Sequence, residues 1–586
     1  MFVIVLAISL SSMMVASSEL WSGAGLTYRS ANVSVSATPV HNLDTNMNYS
    51  TIQAAIDDSV TLNGHVISVD NGTYSEHVLV DKSLILKGES KENTTILWEG
   101  SGMALEATVN NVSLSGFRVQ KSANVSTDGS CVFFNSSSGG SLTDCIVQYG
   151  YFGVFILEPN SSLVANVTIN GSGLGLGVIN SSQSVFRDNE ISDAAGIGVG
   201  LSGSTGCLLR NNHMTNCTGG FSEGGSVVEH FLNDIDTSNT IDGKLVYCLV
   251  NQTGLIVNPT TFPDAGSLTI ANSTAVVVEN LTLSHSGIGI ALAYTNDSLI
   301  RNVAVVNNTQ GYGINVASGT NNTISGCNVS DCFSGVSLAY AMNNTVRGNR
   351  ISNSDHFGIY LLSAWLNTLV ENDVINSSWT CVYMIDSVNN TLHHNNFVNY
   401  SEAYVYGSAN SWDDGVEGNY WTSYTGADLN LDGIGDTPYV LGAYDVDQYP
   451  LMGMYHSYDA VIVPGTVGLV SNSTVSDFAL WMVIGYPETL TIEFKVSGES
   501  GFGFVRLRIP HDLIAGPYVV TVDGAEPVFA NYSVLTQGNS AWIYFTYLHS
   551  AHVVAVVPEF SVLVLLPLLM GASLLAVAVR KRKRYR

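Results

Sequence analysis

Three groups of side chains have the types and spacing that chemistry needs. Asp428, Asn430, Asp432, Ile434 and Asp436 surround Gly433 in DLNLDGIGD, which matches the first half of a D-x-[DN]-x-[DN]-G calcium loop. Alternating oxygen side chains converge on one ion, the glycine permits the sharp turn, and the Ile434 carbonyl adds a ligand. The twelfth position is Tyr439 rather than Glu, so Asp445 or Asp447 is the expected source of the missing carboxylate. A weak structural Ca2+ site follows, one that locks the end of the fold.

The second group is aromatic. Tyr360, Tyr383 and Tyr406 recur 23 residues apart, and Ile359, Val382 and Val405 beside them carry the inward parity of a strand. The tyrosines are therefore expected to point outward, with His356, Trp379 and Glu402 earlier in each strand on the same side. An exposed aromatic file offers flat faces to sugar rings, with His and Glu to meet hydroxyls. The same file also fits aromatic packing from coil to coil. The third group is acidic. Asp373, Asp386 and Glu402 lie in neighbouring repeats and are the candidate catalysts if the chain cleaves polysaccharides, since glycosidases need two carboxylates about 5–9.5 Å apart. No repeat slot holds an acid twice, and Arg350 with Asp373 reads as a cross-coil ion pair.

Other chemistries find less. His393 and His394 are consecutive on an expected strand, so they should face opposite ways, and no Met- or His-rich tract offers copper ligands. A copper role is not expected from these residues. The eight cysteines fit either core stacks or disulfides, and no zinc spacing or Cys-His pattern appears.

The elements that must position these residues form a repeat. Asn322, Asn344, Asn367 and Asn390, each followed by Thr, are spaced by 22, 23 and 23 residues, and a second column runs Asn349, Asn372, Asn395. A fixed period of this size means a solenoid. Interchangeable Val, Ile and Leu in short runs between Asn and Gly point to β-coils with left-handed corners and buried asparagine ladders. The expected fold is all-β: a right-handed parallel β-helix of about a dozen coils of 22–25 residues, spanning 19–457. A helix over Tyr49–Asp57, capped by Ser50, is expected to plug its start, and an insertion breaks the period near 226–263. Alternating stretches such as LTIEFKV and AWIYFTY then predict a β-sandwich stalk over 458–556.

Composition sets the surroundings. The 586 residues carry 48 acids against 21 bases, and six of those bases lie in the last seven positions, 580–586. With no basic face elsewhere, nucleic acid is excluded as a partner. Residues 1–18, with the apolar run Phe2–Leu10, read as a secretory signal. Phe560–Val579 is 20 residues without a charge, followed at once by RKRKRYR. That pattern predicts one C-terminal transmembrane helix within 557–579, a cytoplasmic tail at 580–586, and everything earlier on the outer face of the cell membrane. Twenty-five Asn-X-Ser/Thr sequons agree with an exported chain.

Several segments resemble known families. Pro558-Glu559-Phe560, the apolar span and the basic cluster together resemble the PEF-CTERM tail of archaeal surface proteins, which implies a sortase-like enzyme cutting near the tripeptide. The stretch HVISVDNGTYSEHVLVDKSLILKGE resembles the opening coils of pectin-lyase-like β-helices. Asp234–Gly254 and Gly418–Met452 resemble the insertion and closing segment of the NosD family, some of whose members serve in copper maturation. The expected protein is a membrane-anchored surface β-helix that binds a polysaccharide or surface glycoprotein without catalysis. Polysaccharide lyase or hydrolase activity is the alternative, and a NosD-like metal role comes third.

Overall fold

The computed structural model describes residues 38–122, 129–400, 402–460, 465–483, 489–527 and 533–558. The chain forms two compact units, one of residues 1–391 with 398–410, the other of 392–397 with 411–586.

The first unit is a parallel β-helix. Its coils are short strands separated by corners at which Asn, Asp or Gly takes a positive φ, as at Asn321, Asn343 and Asn389 (φ +59°, +55° and +57°). Every second strand residue faces the interior, and Val336, Ile359 and Val382 stack there in register. The β-helix has about 16 turns, more than the dozen the repeat suggested. The difference lies partly upstream, where Val66–Val69 already pairs parallel with Ile85–Gly88 although its sequence lacks the Asn signature.

Asparagine ladders close the corners. Nδ2 of Asn322 donates to Oδ1 of Asn344 (3.1 Å), Asn344 to Asn367 (3.0 Å), Asn367 to Asn390 (2.9 Å) and Asn390 to Asn410 (2.9 Å). The same Oδ1 atoms accept the preceding backbone N–H, as from Asn322 to Asn344 at 2.8 Å, which satisfies groups that burial would otherwise orphan. A plug helix covers the start over Ile52–Asp57, burying Ile52, Ala55 and Ile56. Its N-cap is Thr51, whose side chain accepts from Ala54 N, rather than Ser50. The period breaks where a short antiparallel pairing of Thr240–Ile241 with Lys244–Leu245 interrupts the parallel stack.

The second unit contains two antiparallel sheets. One holds Met454–Asp459, Thr466–Ser471, Phe502–Pro510, Ser540–Leu548 and Ser533–Gln537; the other holds Thr474–Val483, Thr489–Ser497, His552–Pro558 and Tyr518–Val522. Leu469, Leu507, Phe545, Ile492, Phe494 and Val554 form their shared core. The segment 411–457 belongs to this unit.

The expected transmembrane helix and single-pass topology need correction. Among the described residues no helix is long and apolar enough to cross a membrane. The apolar run 560–579, the PEF tripeptide beyond Pro558, the basic tail and the signal segment 1–18 lie outside the described residues. Among the described residues, therefore, no helix supports the expected membrane span.

Candidate functional site

The aromatic file runs along one sheet of the first unit, and its first member, Tyr360, lines a cavity there. Tyr312–Ala317, Ser334–Ala339, Phe357–Leu362, Thr380–Ile385 and Glu402–Tyr406 stack parallel, with Asn315, Ser337, Tyr360, Tyr383 and Tyr404 at one outward slot. Tyr383 stacks on Tyr404 with centroids 4.8 Å apart and on Phe357 at 4.4 Å; Tyr360 lies 5.8 Å from Tyr383. Trp379, 48% exposed, stacks on Phe357 at 5.4 Å. The expected third tyrosine needs correction. A register shift between Thr380 and Tyr383 places Tyr404 opposite Tyr383, while Tyr406 pairs with Ile385 and stands 63% exposed. His356 stacks on Phe333 at 3.9 Å and meets the edge of Trp379 at 5.7 Å. Its Nδ1 is buried without a hydrogen-bond partner, and burial lowers its pKa.

The opposite wall was not foreseen. Phe133, Phe155, Gly177, Gly200 and Ser222 occupy one slot of the strands Ser130–Asn135, Phe152–Leu157, Leu174–Ile179, Ile197–Ser202 and Gly219–Gly224. Phe155 stacks on Phe133 at 5.1 Å and on Phe152 at 4.4 Å. A cavity of about 180 Å³ lies between the walls, lined by Phe152, Phe155 and Ile179 on one side and Tyr312, Tyr360 and Leu362 on the other. The walls meet because Gly219–Gly224 approaches a distant coil. Gly220 N donates to His285 O (2.8 Å) and Gly287 N to Phe221 O (3.1 Å). A Cβ on Gly287 would sit 2.9 Å from the Phe221 carbonyl oxygen, so this close approach favours glycine. Only the Gly-rich GFSEGG and SGIG stretches hinted at it.

One acid borders this cavity among its described lining residues. Glu223 continues the inward stack below Leu201 and is 3% exposed. Its Oε1 accepts from Asn233 Nδ2 (2.7 Å), its Oε2 has no partner, and burial raises its pKa to about 7. It is therefore a carboxyl group able to donate a hydrogen bond near neutral pH.

The other candidate acids are dispersed. Asp373 pairs with Arg350 across adjacent coils at 3.8 Å, on a strand whose neighbours do not line the cleft. Asp386 sits at an exposed corner with φ +49°. Glu402 starts the strand aligned with Thr380.

In the second unit, the 428–436 loop is closed by its own backbone. Asp428 accepts from Asp432 N (3.0 Å) and Gly433 N (2.8 Å), Asp432 accepts from Ile434 N (2.9 Å), and Asp436 accepts from Leu429 N. Asn430 Nδ2 reaches Asp432 at 3.3 Å. Burial and the Asp432 charge raise the Asp428 pKa. Asp445 and Asp447 do not complete this loop; they are buried as acceptors for the indole N–H groups of Trp412 (3.0 Å) and Trp421 (2.8 Å).

The paired histidines also depart from expectation. His394 takes φ +58°, which breaks strand alternation, and brings its Nδ1 to 3.2 Å from Nδ1 of His393. Ligand atoms of His393, His394 and Asp414 all lie within 4.8 Å of one another. Buried Glu417 accepts from His394 Nε2 (3.0 Å), Arg506 Nε (2.6 Å) and Trp542 Nε1 (3.0 Å). Burial alone would raise the Glu417 pKa, but His394 and Arg506 outweigh it and hold it at about 2. Burial, reinforced by His394, keeps the His393 pKa well below the usual imidazole range. Two imidazoles and a carboxylate are donor types that late first-row divalent ions accept.

Of the eight cysteines, all but Cys248 are buried.

Comparison with known proteins places these features. A cell surface glycoprotein of Methanothermus fervidus is 33% identical over 116 residues, which is 20% of this chain and 18% of that protein; the chain thus spans under a fifth of that curated relative. Among solved structures, the tailspike of E. coli bacteriophage HK620, solved with a pentasaccharide, matches 87% of this chain and 89% of its own at 11% identity and TM-score 0.33. A mannuronan C-5 epimerase module of Azotobacter vinelandii matches 63% and 98% at 14% identity and TM-score 0.25. The model of the periplasmic copper-binding protein NosD matches residues 82–242 and 233–426, more than half of the sequence, and the chain belongs to the NosD family.

Proposed function

We propose that the protein is a cell-surface β-helix that binds a glycan in the cleft between its two aromatic walls without cleaving it. The observation that carries this reading is the cavity bordered by Tyr360 on one side and Phe152 and Phe155 on the other, with the Tyr383–Tyr404 stack extending the first wall. Aromatic faces cover the apolar faces of sugar rings, and a neutral carboxyl at Glu223 supplies a directional donor to a hydroxyl. The sequons and the surface-glycoprotein relative support an extracellular setting. A free polysaccharide and the glycan of a surface glycoprotein present the same chemistry to the cleft. The 428–436 loop is proposed as a weak structural Ca2+ site, on the strength of its clustered oxygen side chains.

The test is retention of the full chain on a polysaccharide array, with and without calcium, alongside an assay for reducing or unsaturated ends. Retention without product, lost in Tyr383→Ala, is the expected result. Product formation would replace binding with lyase or hydrolase chemistry, and the absence of retention across glycan classes would overturn the cleft reading.

A further inference from the structure

We propose, resting on the glycan reading above, that the cleft selects uncharged glycans of hexose or N-acylhexosamine units and rejects polymers that carry carboxylate, sulfate or phosphate groups. The ten strands of the two walls contain no Lys, Arg or His, and their only charged residues are Glu223 and Glu402. Among the described residues that line the cavity none is basic, and Glu223 is the one acid. His230 packs against the lining residue Gly225, and burial lowers its pKa, so it is uncharged at neutral pH. The solenoid does have bases, but on strands outside both walls, where carboxylates already hold them. Arg210 meets Asp234 at 2.6 Å, Arg301 meets Glu279 at 2.6 Å, and Arg350 faces Asp373 at 3.8 Å.

An anionic sugar gives up strong hydration when it enters an apolar site, and only a positive charge or several convergent N–H donors repay that loss. Sites that bind carboxylate or phosphate therefore supply arginine or lysine. In this cleft a uronate would meet the rings of Tyr360, Phe152 and Phe155 and, at Glu223, a carboxyl whose Oε2 is buried without a partner. The net charge of −27 adds a longer-range repulsion of polyanions. A hydroxyl makes no such demand. Ser202, Gln310, Asn315 and Ser337 border the cavity with neutral donors and acceptors, while the aromatic rings cover the C–H faces of a sugar.

Full-length protein is run by affinity electrophoresis through neutral glucans, mannans and galactans, each beside the same polymer oxidised to the carboxylate at C6. Retention by at least one neutral polymer is expected, with its carboxylated partner weaker by about tenfold or more. Retention by the neutral polymer should change less than about twofold between roughly 50 and 500 mM NaCl, because no ion pair is made. Asn315 stands in register with Ser337 and Tyr360, so Asn315→Lys brings an ammonium group to the cavity and should narrow the preference by about threefold or more. Circular dichroism checks the fold of the variant. Equal or tighter binding of a carboxylated polymer, lost in Tyr383→Ala, overturns the charge selection and leaves the cleft reading standing. An unchanged preference in folded Asn315→Lys overturns the selection as well, since it places the discrimination outside this cavity. The absence of retention by every polymer, neutral or carboxylated, overturns the cleft reading and this inference with it.

Discussion

Tyr383 and Tyr404 stack with centroids 4.8 Å apart and planes 13° from parallel, although 21 residues separate them where the preceding step of the file, Tyr360 to Tyr383, takes 23. The register shift after Thr380 absorbs the difference. It removes Tyr406 from the file.

Tyr383→Ala is therefore expected to abolish glycan retention, by at least tenfold in Kd, because it removes the ring between Tyr360 and Tyr404. Tyr406→Ala is expected to change retention less than twofold. Affinity electrophoresis of both variants measures the contrast; equal losses would move the ligand off this wall.

Asn344 and its neighbour Asn343 should differ in how much they contribute. Asn344 is 1% exposed, and its Oδ1 takes both the backbone and side-chain N–H of Asn322. Truncation to Ala strands those donors and is expected to cost about 3 kcal/mol in chemical denaturation. Asn343 is an exposed sequon residue at positive φ, so Asn343→Ala should cost only about 1 kcal/mol.

Glu223 predicts a pH slope. Burial raises its folded pKa from 4.5 to about 7, so between these values the folded chain holds a proton that the unfolded chain has released. Stability should accordingly fall as pH rises through this window and level off above it. Glu223→Gln should flatten that slope and raise Tm more at pH 8 than at pH 5; thermal melts of both proteins across pH 4–9 check this.

Glu417 predicts the reverse at acid pH. Its folded pKa of about 2 lies below the ordinary 4.5, so its contribution is complete above 4.5 and is lost as pH falls toward 2. Glu417→Gln leaves the guanidinium of Arg506 buried without its counter-charge and should destabilise the second unit by about 3 kcal/mol at pH 7, with a shallower acid limb. Near-ultraviolet circular dichroism of Trp412, Trp421 and Trp542 reports this unit.

The thiols should be inert. Burial pushes Cys131, Cys145 and Cys332 up to about 12. In the native protein, reaction with a disulfide thiol reagent is expected at no more than Cys248, against eight thiols in denaturant.

The solenoid was legible in the sequence because its determinants are local and repeated. Asn322, Asn344, Asn367 and Asn390 recur at the coil period, and alternation within each coil marks Ile359 and Val382 as core. The same alternation puts Tyr360 and Tyr383 at one slot of adjacent strands, although neighbouring rings leave Tyr360 only 9% exposed, which the alternation does not reveal. Features that depend on departures from the period were not legible. The shift that substitutes Tyr404 for Tyr406, and the positive φ that turns His394 toward His393, each change a side chain's direction through one backbone irregularity. The second wall of the cleft depends on contacts between segments far apart in sequence, where glycine at 287 permits the backbones to touch. Periodicity states which residues share a face; only the folded chain decides which faces meet, because that depends on where the stack is interrupted.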